Sequence, residues 1–118
     1  MRKILIVDDS KEYQQVWKMI LSPQFEIIQA MNISDGRRKF FENNGNDLAL
    51  VVMDACIESK SMDSAPLLAE IKGAFLGPII ACSSDEKYQR ELVAIGCTHQ
   101  SDKKNVADMI SQIMGIEN

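Results

Sequence analysis

"KILIVDDS", residues Lys3–Ser10, sets an unbroken apolar run, Ile4 to Val7, directly against two adjacent carboxylates, Asp8 and Asp9. Such a run has no polar face, so the strand it predicts is buried on both sides, as in a parallel sheet covered by helices. Behind it Tyr13, Val16, Trp17, Ile20 and Leu21 recur at helical spacing, with Ser10 at the N-cap position and Pro23 closing the segment. One strand followed by one helix is the unit from which the rest of the chain is read.

The unit repeats. "FEIIQA" (25–30) predicts a second strand, and Asn32 caps a helix that carries Ile33, Phe40 and Phe41 on one side and ends near Gly45. "DLALVVMD" (47–54) is a third strand, followed from about Asp63 by a helix with Leu67, Leu68 and Ile71 inward and Pro66 in its first turn. "GPIIACSS" (77–84) is a fourth, and a helix from Glu86 to Ile95 uses Leu92, Val93 and Ile95 and stops at Gly96. "THQS" (98–101) is polar, yet an edge strand can be polar on its outer side, and Val106, Met109, Ile110 and Ile113 mark a helix after it. Five strand–helix units predict an α/β fold: a flavodoxin-like, doubly wound, five-stranded parallel sheet in the order 2-1-3-4-5, with helices on both faces and right-handed crossovers. We expect one domain over residues 1–118, whose 46% hydrophobic content suffices for a core.

Charge and cysteine usage narrow the function. A net charge of −4 offers no broad attraction to nucleic-acid phosphates or anionic lipid. Cys56, Cys82 and Cys97 lack C-x-x-C spacing and sit in or beside apolar segments, which predicts reduced, core-filling thiols. No apolar run approaches the roughly 20 residues of a membrane span, and "MRKILIVDDS" lacks the features of a signal peptide, so a cytoplasmic location is expected. His99 is the lone histidine and reads as a surface imidazole rather than a catalytic base.

Chemistry collects where such a sheet switches winding direction, beyond the carboxyl ends of the strands. The first strand ends in Asp8 and Asp9, the third in Asp54, the fourth in Ser83 and Ser84, and Lys103 follows the fifth. With strands 1 and 3 adjacent, three carboxylates converge, and their repulsion calls for a cation. Mg²⁺ fits, because it accepts one to three carboxylates and keeps positions for phosphate oxygens. Lys103 and Ser83 are matched to phosphoryl oxygens as well.

"ILIVDDS", the isolated Asp54, "PIIACSS" and Lys103 together resemble the receiver domain of two-component response regulators, over essentially the whole chain. The resemblance implies that Asp54 is a phosphoacceptor, charged by a histidine kinase or histidine phosphotransfer protein. It implies that Asp8, Asp9, Asp54 and the backbone carbonyl of Cys56 hold Mg²⁺, that Lys103 pairs with the phosphoryl group, and that Ser83 is the switch hydroxyl moving the face after the fourth strand. The chain would then be no enzyme beyond its own phosphorylation and dephosphorylation. Its output would pass through a downstream protein effector or an output domain outside these 118 residues.

Four departures from the family pattern predict an atypical output. The "ACIESKSMDS" loop (55–64) is about two residues longer than usual and lacks a proline, Ser64 stands where glycine is common, Gln100 replaces an aromatic, and Lys104 replaces the proline after the lysine. Two alternatives follow: a receiver-like scaffold that binds a partner without phosphorylation, and a haloacid-dehalogenase-like phosphohydrolase. The latter wants Asp-x-Asp where this chain has adjacent acids.

Overall fold

The computed structural model describes residues 1–116; the expected domain span of 1–118 thus ends on two residues, 117 and 118, outside the described set. The elements run β1 (Lys3–Val7), α1 (Lys11–Leu21), β2 (Glu26–Ala30), α2 (Ile33–Asn43), β3 (Leu48–Asp54), α3 (Ala65–Ala74), β4 (Ile79–Cys82), α4 (Glu86–Ile95), β5 (His99–Ser101) and α5 (Val106–Ile113). All strand pairs are parallel and the order is β2-β1-β3-β4-β5, as expected. The polar β5 is indeed an edge strand. Its backbone pairs with β4, while His99 and Gln100 keep contact with solvent.

Strand alternation divides the core. Leu5, Val7, Val51, Met53, Ile79 and Ala81 face Phe40, Leu67, Leu68, Ile71 and Leu92, so α2, α3 and α4 cover one side. Ile4, Ile6, Leu50, Val52, Ile80 and Cys82 face Trp17, Leu21, Val106 and Ile110, so α1 and α5 cover the other. The central strands are buried on both faces, which is why they read as continuous apolar runs.

Helix starts follow local chemistry. The Ser10 hydroxyl accepts from Tyr13 N, the Asn32 side chain from Asp35 N and the Asp85 carboxylate from Lys87 N. α3 begins at Ala65 with Pro66 in its first turn, two residues after the expected Asp63, because the Asp63 carboxylate is committed to the preceding loop. Not every periodic apolar residue is inside. Val16, Ile20 and Phe41 stay about half exposed, since the sheet covers only the stripe of α1 centred on Gln14, Trp17 and Leu21 and the stripe of α2 centred on Gly36 and Phe40. Gly36 lets α2 approach the sheet: a Cβ there would lie 3.0 Å from Val7 Cγ1 and 3.2 Å from Leu67 Cδ2.

Candidate functional site

Register builds the site. Val7 pairs with Met53, so the next residues, Asp8 and Asp54, emerge side by side at the carboxyl ends of β1 and β3. This is the point where β2 lies to one side and β4 and β5 to the other, leaving a crevice at the rim. Asp8 is fully buried and Asp54 is 3% exposed, whereas Asp9 faces solvent. One oxygen from each of the three lies within 4.8 Å of the others.

Lys103, on the turn after β5, reaches into this cluster. Its Nζ is 3.0 Å from Asp8 Oδ2, 3.2 Å from Asp8 Oδ1 and 3.5 Å from Asp54 Oδ2, and it lies 5.7 Å from the centre of the Tyr13 ring. Asp8 Oδ1 also accepts the Ser10 N–H at 2.8 Å. Asp8 Oδ2, close as it is to the ammonium, is buried with no partner in hydrogen-bonding geometry. Three carboxylates gathered around one ammonium are a site short of positive charge.

Burial also shapes the ionisation of these groups. Burial, reinforced by the charge of Asp8, raises the Asp54 carboxyl from 3.8 to about 7 despite Lys103. Burial also raises Asp8, against the Ser10 N–H and Lys103. Burial alone would lower Lys103, but the two carboxylates outweigh it and raise its pKa. Three carboxylate oxygen donors this close together suit a hard divalent cation such as Mg²⁺.

The other expected residues surround this centre. Asp54, Cys56, Ser83, Ser84 and Lys103 line one cleft of about 310 Å³. The Ser83 hydroxyl accepts from Asp85 N at 3.1 Å, and its carbonyl accepts the buried Gln89 amide at 2.7 Å. Cys82 and Cys97 are buried thiols, pushed up by burial, Cys97 to about 12, which fits core filling rather than reactivity. His99 is exposed and its ring nitrogen pairs with Thr98 Oγ1 at 2.8 Å.

The fold recurs in solved structures. A two-component response regulator from Clostridium difficile matches with a TM-score of 0.79 at 20% identity, over 98% of this chain and 97% of that one. The receiver domain of NtrX from Brucella abortus matches with a TM-score of 0.74 at 22% identity, over 95% and 94%. The chain has the receiver-domain fold. A receiver-domain protein from Clostridium thermocellum adds a TM-score of 0.74 at 22% identity, over 98% and 95%. No protein-family model matches the sequence. Among curated proteins, the hybrid PKS-NRPS synthetase pydA of Acremonium sp is 25% identical over 91 residues, 77% of this chain but 2% of that protein's length.

Against the receiver pattern, the departures acquire physical form. Ser64 adopts φ −88°, a conformation that needs no glycine, and its hydroxyl donates to Ala55 O at 3.1 Å. Gln100 donates to Gln89 Oε1 at 3.2 Å, so an amide pair occupies the place where an aromatic is usual. One residue outside the expected set helps to build the site. Gln14 donates to the carbonyls of Ile6, Asp8 and Ala30 at 3.0–3.3 Å and ties the ends of β1 and β2 together. Its signal was a polar residue on the Trp17–Leu21 stripe. Lys60, in the long loop, and Asp85 and Tyr88, around the start of α4, also line the cleft; only contacts across the fold assign them there.

Proposed function

We propose that this chain is a phosphoacceptor switch of the response-regulator type, with Asp54 as the acceptor. The observation that carries the reading is Asp54 itself. It is a strand-end carboxylate, nearly buried yet open to a cleft, flanked by a second buried acid and held by a lysine from another strand end.

Asp8, Asp9 and Asp54, with the Cys56 carbonyl, would hold Mg²⁺. When bound, the ion supplies positive charge that keeps Asp54 ionised and offsets charge on incoming phosphoryl oxygens. The chain's own residues do the rest. An Asp54 carboxylate oxygen attacks the phosphorus of a phosphohistidine on a kinase or phosphotransfer protein; the new P–O bond forms as the P–N bond breaks, and the nitrogen keeps the electron pair. Lys103 turns from the carboxylates toward the phosphoryl oxygens, which gives the newly added negative charge a defined partner. The Ser83 hydroxyl, which accepts from Asp85 N, donates to a phosphoryl oxygen, and the start of α4 follows it. Water later cleaves the acyl phosphate and returns the carboxylate.

Output through a protein effector or an attached domain, and a cytoplasmic setting, belong to the same reading; no helix among the described residues is long and apolar enough to cross a membrane. Incubation with Mg²⁺ and a small acyl phosphate should add the mass of one phosphoryl group, and chelator or Asp54→Asn should abolish the gain. An unmodified wild-type protein would leave the scaffold reading, and steady turnover of phosphate esters would favour a hydrolase.

A further inference from the structure

The long loop between β3 and α3 is held at several points. Both oxygens of the Asp63 carboxylate accept backbone N–H groups, of Ile57 and Glu58, each at 2.8 Å. Asp63 N and Ser64 N both donate to Ala55 O. The Glu58 carboxylate reaches across to accept Ile33 N at 2.9 Å, at the first turn of α2. At the apex, the Ser59 hydroxyl donates to Ser61 O at 2.8 Å and accepts from Ser61 N at 3.3 Å, a local clasp around Lys60. The extra residues therefore form a shaped arch. Lys60, at its crown, lines the same cleft as Asp54, Ser83 and Lys103. None of the ion pairs among the described residues engages it.

Charge gives this placement a purpose. A phosphoryl group on Asp54 exchanges a monoanion for a dianion in a cleft that already holds Asp9, with Asp8 beneath it and Asp85 on its wall. Lys103 and one divalent cation leave that assembly net negative. An unpaired ammonium at the rim is the complement the cleft lacks.

We infer that Lys60 is a second phosphate-facing cation, supplied by the enlarged loop, which binds the anionic donor and holds the phosphoryl group on Asp54. Lys60 is a positioning and affinity residue; it transfers no proton and forms no bond. The inference rests on the phosphoacceptor reading, and its test separates the two.

The full chain with Mg²⁺ is phosphorylated by acetyl phosphate, and the rate is followed by intact mass against donor concentration. Lys60→Ala should raise the half-saturating donor concentration about three- to tenfold at low salt with little change in maximal rate, and the gap should shrink as ionic strength rises. Lys60→Arg should restore the wild-type value, and Lys104→Ala, a control outside the cleft, should match wild type. A readout independent of turnover is amine labelling: beryllofluoride with Mg²⁺ should protect Lys60 but not Lys104. If wild type takes up phosphoryl groups while Lys60→Ala shows the same half-saturation and salt dependence and Lys60 stays unprotected, the Lys60 assignment falls alone. If wild type takes up none, the phosphoacceptor reading falls, and this inference with it.

Discussion

At the scale of single residues, burial of Asp54 makes the site a proton trap until a cation arrives. Its carboxyl titrates at about 7 in the folded chain against an ordinary value of 3.8. Between these values the folded state keeps a proton that the unfolded state has released, so the contribution of Asp54 to stability is full below about pH 4 and is lost as pH rises through 7. In chelator, urea midpoints should fall from pH 4 to pH 8 more steeply for wild type than for Asp54→Asn. At pH 8 the variant should be the more stable by about 2–4 kcal/mol. Equal slopes in the two proteins would show that Asp54 titrates normally. The acidic residues of this site were legible beforehand, because paired carboxylates after a buried run have few other reasons to be there. Gln14 was passed over because a glutamine in a helix looks like surface until the three carbonyls it serves are seen.

Elements show where local pattern is enough and where it is not. Glycine is by itself a weak helix former, yet Gly36 sets how closely α2 lies on β1. Gly36→Leu should destabilise the protein by about 1–3 kcal/mol through overpacking against Val7 and Leu67, as measured by urea unfolding. An unchanged midpoint would mean that α2 can back away at no cost. The arch between β3 and α3 depends on Asp63, so Asp63→Ala should strip hydrogen-exchange protection from the Ile57 and Glu58 amides while leaving the strand amides of β1 protected. Protection retained at both amides would refute this anchoring. The length of the loop was visible in the sequence. Its shape was not, since it comes from hydrogen bonds between residues five and six apart and from Glu58 reaching α2.

For the whole molecule, the site ties the two winding directions together: Asp8 arrives on β1, Asp54 on β3 and Lys103 after β5, and all three meet at one rim. A cation that draws Lys103 off Asp8 should be felt beyond the cleft, because Lys103 sits over Tyr13 and Tyr13 stacks on Trp17 with ring centres 5.3 Å apart. Mg²⁺ titration should therefore change the fluorescence of the single tryptophan and raise the unfolding free energy, by about 2.7 kcal/mol at a hundredfold excess over Kd. Neither change should occur in Asp8→Asn. A response to Mg²⁺ that survives that substitution would place the ion elsewhere. The sequence by itself determined the alternation of five strands and helices, the two-sided burial of the central strands and the rim at which the acids end, because these follow from periodicity and from the cost of burying charge. Tertiary structure alone decided which stripe of each helix the sheet covers, that Lys103 pairs with Asp8 more closely than with Asp54, and that the enlarged loop brings Lys60 to the wall of the cleft. Those outcomes depend on contacts between residues far apart in the chain, and no local spacing encodes them.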